Sequence, residues 1–213
     1  MNFITESHRY GLEFLDDQIR PNEDWLELKE VLQNISDNDL IDTFESHGDR
    51  RGKSISIAIN ELIDLRLVEK GWNRQPHIFN RQDPNHPDPT SKYFRLDFAK
   101  NDLAVEVAFN HGEAVSWNLL KPVLSSELNH IEKEYETKIG IVVCATEEMK
   151  SRGGFDGAVA TFDKYKRYLI SMNTQLVTPL VIVGLEAPET FKVVHEQLTP
   201  TKKIGNIEKF ENN

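Results

Sequence analysis

An α/β fold, with a central mixed β-sheet flanked by helices, is what this 213-residue sequence predicts, and three patterns predict it. Between Phe94 and Asn110, apolar and polar residues alternate around Lys100-Asn101-Asp102, the period of two that marks half-buried strands joined by a turn. Two apolar runs, Lys138–Ala145 and Thr178–Leu185, read as strands buried on both faces. Between and before them, apolar residues recur three or four apart, as on helices that cover a sheet.

From the start of the chain, residues 22–35 read as an amphipathic helix. Asn22 is its N-cap, Glu23, Asp24 and Glu27 lie where the helix dipole favours them, and Trp25, Leu28, Leu32 and Ile35 form the stripe. A shorter helix from Ser36 or Asn38 carries Leu40, Ile41 and Phe44 and ends at Gly48. From Lys53 to Lys70, Ile55, Ile59, Leu62 and Ile63 form another stripe, closed by Lys70-Gly71. Glu61 and Asp64 lie off that stripe and read as exposed helix positions, with a reach toward the hairpin acids as the alternative. Pro76–Ser91, with four prolines, is a loop. Its His77 and His86 lack metal-ligand spacing and read as surface residues.

After the hairpin, Gly112–Tyr135 places Leu119, Leu120, Val123, Leu124, Leu128 and Ile131 at helical spacing, with a kink or a new helix at Pro122. Lys150–Gly157 is a polar, glycine-rich loop, and a helix with Phe162, Tyr165 and Leu169 on one face follows from about Ala158 to Ser171. The tail from Ala187 reads as an edge strand plus a mobile end. Residues 1–50 thus form a helical segment packed on a core of residues 51–186, and 187–213 an edge segment.

A two-residue turn at Asn101-Asp102 sets Lys100 against Leu103, Phe98 against Val105 and Asp97 against Glu106. Cross-strand partners lie roughly 5 Å apart at Cβ, where like charges repel, so something must compensate. One carboxyl can hold a proton, or a divalent cation can neutralise both. In a plain structural hairpin, one side chain instead bends into solvent or pairs with Arg95 or Lys100.

Composition sets bounds. Hydrophobic residues at 38% and charged residues at 28% suit a globular chain rather than a disordered one. No apolar run is long enough to span a bilayer, and the first residues lack the form of a signal peptide, so a cytoplasmic protein is expected. The single cysteine, Cys144, sits in an apolar run and reads as a buried, inert thiol. A net charge of −10 argues against nonspecific nucleic-acid binding. It leaves room for local basic surfaces at Arg50-Arg51 with Lys53, at Lys150 with Arg152, and at Lys164, Lys166 and Arg167.

The order of parts, an Asp97-x8-Glu106 hairpin followed by helix, strand, helix and strand, resembles the PD-(D/E)xK nuclease superfamily, and within it the Bgl II and BstYI type II restriction endonucleases. Asp97–Val107, Ser126-Glu127-Leu128-Asn129-His130 and Leu180–Leu185 carry the likeness, with Leu67-Val68-Glu69-Lys70-Gly71-Trp72 matching the segment before the active-site loop. It covers residues 50–186 and implies a restriction-endonuclease-like core. It also implies Asp97 and Glu106 as catalytic and metal-binding carboxylates, and the Val107 carbonyl as a further Mg²⁺ ligand. Ala108 departs from the pattern, standing where the superfamily has Lys and these relatives have Gln or Glu. Either another group does its work, Gln75 and Asn110 being the candidates, or the protein is an inactive DNA-binding or assembly protein.

The resemblance further implies base recognition by two loops, Asn110-His111 and Lys150–Asp156. Asn110 suits adenine, Arg152 guanine and Asp156 cytosine, while Asp156 can equally N-cap the next helix. The implied partner is double-stranded DNA with a short palindromic site, read by a homodimer formed around Val115–Glu132.

Overall fold

The computed structural model describes residues 1–20, 22–48, 52–127, 130–199 and 202–211, the side chains of residues 198 and 202 excepted. Arg50, Arg51, Leu128 and Asn129 lie outside that set. Six strands form the central sheet: β1 (Phe3–His8), β2 (Asn73–Arg74), β3 (Phe98–Lys100), β4 (Leu103–Val107), β5 (Ile139–Ala145) and β6 (Leu180–Leu185). Their order is β1-β6-β5-β4-β3-β2. The β4–β5 and β5–β6 pairs are parallel, and the outer pairs antiparallel, so the sheet is mixed as expected.

The two faces of the sheet carry different covers. Leu103, Val105, Ile141, Val143, Val181 and Val183 point into a core closed by α2 (Glu23–Gln33), α3 (Asp37–Ser46) and α4 (Ser56–Glu69). Ala108, Val142, Cys144 and Ile182 point the other way, against α5 (Val115–Ser126) and α7 (Phe162–Ser171). The caps expected for the first helices are present. Asn22 accepts from the Trp25 N–H, Ser36 and Asp39 form a reciprocal capping box, and Gly48 and Gly71 end their helices with positive φ. Ile55, Ile59 and Ile63 are fully buried.

Several expectations need correction. Phe3–His8 is a strand, not part of a helical segment; it pairs with β6 and is followed by the short helix α1 (Gly11–Leu15). Strand β3 begins only at Phe98, because residues 94–97 are held by the loop before them: the Ile78 N–H donates to the Phe94 carbonyl, and the Leu96 N–H to the Pro76 carbonyl. In that loop His77 is buried rather than at the surface, and the half-buried His86 stands edge-on to Phe79 and Phe94.

The helix after the hairpin stops at Ser126, and Pro122 lies within it with no new helix starting there. The expected loop at Lys150 contains a helix, α6 (Glu147–Arg152), capped by Thr146; α7 starts at Phe162, because residues 158–161 are extended and bridge His111 and Ala145. The tail is a hairpin of its own, β7 (Phe191–Thr199) with β8 (Lys202–Lys209), which buries Phe191 and Val193 in the α2–α4 core. Cys144 is fully buried, as expected, and burial pushes its thiol far up. No helix among the described residues is long and apolar enough to cross a membrane.

Candidate active site

The β3–β4 hairpin has the register read from the sequence: Phe98 opposite Val105, Ala99 opposite Ala104 and Lys100 opposite Leu103. Only Asn101 of its turn has positive φ. Its side chain donates to Asp24 at 2.8 Å, and Lys100 donates to Glu27 at 2.6 Å, so the hairpin tip is fastened to α2.

One step beyond the paired residues, Asp97 and Glu106 come together. An Asp97 carboxylate oxygen accepts from the Val107 N–H at 2.8 Å, and the Asp97 carbonyl accepts from the Gln75 N–H at 2.8 Å. Gln75 holds φ at +50°, a left-handed conformation uncommon outside glycine and of the kind that clusters at functional sites.

The two carboxyls have different surroundings. Asp97 lines a cleft of about 240 Å³ together with Asn60, Glu61, Asp64, Arg74, Gln75, Phe98 and Val107. Glu106 lies behind it, 1% exposed, ion-paired through one oxygen with Lys121 of α5. Its other oxygen, Oε1, is buried and has no hydrogen-bond partner among the described residues. Burial pushes the Glu106 carboxyl well above the usual carboxylate range, the Asp97 charge adds to the rise, and Lys121 opposes it.

The basic partner that Glu106 finds is neither Arg95 nor Lys100 but a lysine from the helix over the sheet. Lys121 was invisible as a site residue in the sequence, although Asn118, Lys121 and Ser125 do form a polar stripe on α5, and all three are buried. The two acids are neighbours, yet only Asp97 reaches the cleft. Among the described residues, no three His, Cys, Asp or Glu side chains converge on a metal position.

Glu61 and Asp64, read as exposed helix positions, line the same cleft as Asp97; His47 and Arg74 pair with them at 3.1 and 2.6 Å. A second cleft of about 620 Å³ opens just beyond the C-terminal end of β4. Its lining includes Lys53, Asn110, His111 and Asp156, three of which are expected DNA contacts. Asn110 is fixed there by Asn118, whose amide donates to its Oδ1 at 3.0 Å and to the Tyr165 hydroxyl at 2.8 Å. Asp156 accepts from the Ala158 N–H at 2.9 Å; it caps a turn, not α7.

A third groove gathers Lys150, Lys164, Arg167 and His111 beside Glu113 and Glu147. Arg152 stands apart from these clefts. Its guanidinium donates to the Pro188 carbonyl at 3.0 Å, pairs with Glu148 at 2.7 Å and lies over the Phe210 ring, contacts that fix α6 to the C-terminal hairpin.

A mixed sheet with an acid-bearing hairpin at one cleft, and polar and basic clefts along the same strand edge, has the build of a nuclease. The family described as restriction endonuclease BglII/BglIII matches residues 3–185, and the chain belongs to it. It is a type II site-specific deoxyribonuclease. The fold agrees. A crystal structure of restriction endonuclease BglII complexed with a DNA 16-mer superposes with a TM-score of 0.66 at 20% identity, covering 99% of this chain and 100% of that one. A structure of free BglII gives 0.52 at 18% identity with the same coverage. Comparison with curated proteins returned no significant match.

Proposed function

We propose that this endonuclease hydrolyses phosphodiesters in double-stranded DNA at a short palindromic site, as a homodimer, with Mg²⁺ held by Asp97, Glu106 and the Val107 carbonyl. The observation that carries the reading is the pairing of the two acids at the end of the hairpin, one facing a cleft and the other with a buried oxygen lacking a partner among the described residues. Two carboxyls and a main-chain carbonyl are a hard oxygen set that suits Mg²⁺, which keeps several waters of its own. Bound there, the ion would lower the pKa of a coordinated water and stabilise charge on the scissile phosphate. As the water oxygen bonds to phosphorus, the bond to the leaving sugar oxygen breaks; one water proton departs to solvent and the sugar oxygen gains one.

The chain's own residues serve this step by position. The Val107 N–H and the Gln75 N–H fix Asp97, and Gln75, held in a left-handed backbone conformation, lines the same cleft, where its amide can orient water. Asn110, His111 and Asp156 border a cleft where DNA bases can be read, and Lys150, with Lys164 and Arg167, supplies backbone contacts. Arg152 is better explained by its contacts within the protein than by a base. Two-fold pairing around α5 would rely on half-buried Trp117, Leu120 and Leu124, because most of that helix is already covered.

Plasmid DNA incubated with the protein and Mg²⁺ tests the reading. Discrete fragments are expected, and no cutting at any divalent-ion concentration would reject it. Asp97→Ala and Glu106→Ala should each remove several kcal/mol of transition-state stabilisation, at least about 100-fold in rate, while leaving DNA binding in Ca²⁺ measurable. Full activity in either variant refutes the assignment.

A further inference from the structure

Position 108 raises the question of which cation serves the reaction, since Ala108 brings only a methyl group. On one face of the strand, Glu106, Ala108 and Asn110 follow one another at the two-residue period. Helix α5 runs across that face, and its side chains meet the strand on either side of Ala108. Asn118 bonds Asn110, and Lys121, one turn further on, pairs with Glu106. Ala108 itself is buried against Val115 and Leu119 of the same helix. The Lys121 ammonium thus reaches the carboxyl that a longer side chain at position 108 would approach from the strand.

Lys121 is a costly residue to place here. It is only 9% exposed, and a buried ammonium is tolerated only when paired. Lys100 and Lys70, on the opposite side of the hairpin, are consumed by Glu27 and Glu30 and do not reach the acid pair. Arg74, at the first cleft, is held by Asp64.

The geometry points to Lys121 as the catalytic lysine of this enzyme, delivered from helix α5 in place of a residue at position 108. This rests on the metal-dependent cleavage reading above. Its ammonium contacts a non-bridging oxygen of the scissile phosphate and the attacking water once Glu106 turns to the metal. It gains no bond and loses no proton in the step.

Single-turnover cleavage of cognate DNA, DNA binding in Ca²⁺ and thermal unfolding are measured together for Lys121→Met and for Ala108→Lys/Lys121→Met, with Asp97→Ala in parallel. Lys121→Met is expected to cut at least about 100-fold more slowly, with binding within about threefold of wild type and the unfolding transition retained. The double variant, with a lysine restored from the strand, is expected to recover at least about tenfold of that loss.

Cutting by Lys121→Met at the wild-type rate overturns the proposal, as does parallel loss of cutting and binding in the folded variant that the double variant does not repair. Should Lys121→Met not fold, Lys121→Arg, which keeps the charge but moves the donor, decides: folded with binding kept and cutting slowed at least about tenfold supports the assignment, and cutting at the wild-type rate rejects it. If Asp97→Ala cuts as well as wild type, the carboxylate reading fails instead; a dead Asp97→Ala beside a fully active Lys121→Met removes the lysine alone.

Discussion

Replacing Gly140 by alanine would push a methyl group into the ring of Pro122, the residue after Lys121. A Cβ at Gly140 would stand 2.4 Å from Pro122 Cβ, 3.0 Å from its Cγ and 2.5 Å from Leu180 Cδ2. Carbon contacts settle at about 3.5–4.0 Å, so the separation must open by more than about 1 Å. Leu180 can swing its terminal methyl aside, whereas the proline ring is rigid and moves only with α5. Overpacking of this kind costs about 1–3 kcal/mol. For a chain of this length each kcal/mol lowers Tm by about 2–4 °C.

Because Asn118 and Lys121 ride on the same helix, the shift also displaces the groups over Asn110 and Glu106, and a misplacement of about 1 Å can cost about 100-fold in rate. Thermal unfolding and single-turnover cleavage read the two effects. Gly157→Ala is the control: nothing lies within 4 Å of its Cβ position, and it should stay within about 0.5 kcal/mol of wild type. A Gly140→Ala protein with wild-type Tm and wild-type cutting would refute the packing that positions α5.

Three further outcomes can be measured. Lys164→Ala and Lys150→Ala should each weaken DNA binding on all sequences alike and lower the slope of log affinity against log salt by about one; loss confined to the cognate site would make the residue a base reader. Arg152→Ala should lower stability through the lost Pro188, Glu148 and Phe210 contacts and leave sequence preference intact, whereas a loss of about 1–3 kcal/mol on cognate DNA alone would restore it as a base contact.

Asp39→Asn should cost about 1 kcal/mol near pH 7 by weakening the capping box. The Ser36 N–H, chiefly, and Arg66 hold the Asp39 carboxyl below its ordinary value of 3.8. Its stabilisation is therefore complete above that value and fades as pH falls through the lower folded one. Urea unfolding at pH 7 and at pH 3 or below checks this, and an equal difference between the two proteins at both pH values would contradict it.

The sequence was most legible where one residue's periodicity and its end signals agreed. Asn22, Ser36, Gly48 and Gly71 bound helices whose stripes are unmistakable, and the alternation through Val105 fixed the hairpin register that joins Asp97 to Glu106. Short or edge elements were harder. Phe3–His8 has one exposed flank and an irregular burial pattern, and α6 is only six residues followed by two glycines, so neither shows a repeated stripe. The outer hairpin is rich in charge because only one of its faces meets the core.

The site itself was half legible. Adjacency of the two acids follows from register, but the burial of Glu106 and its pairing with Lys121 depend on how a helix crosses a strand, which no local pattern encodes. The same holds for Arg152, two of whose partners, Pro188 and Phe210, lie 36 residues and more away along the chain.

Crystals of the enzyme bound to cognate DNA and soaked in Mn²⁺ give the most direct test, since anomalous scattering locates the ion without reference to activity. The account places the peak in contact with the carboxyls of Asp97 and Glu106 and with the main-chain oxygen of Val107. A peak between Glu61 and Asp64 with Glu106 still locked to Lys121, or no peak beside the hairpin at all, would contradict it.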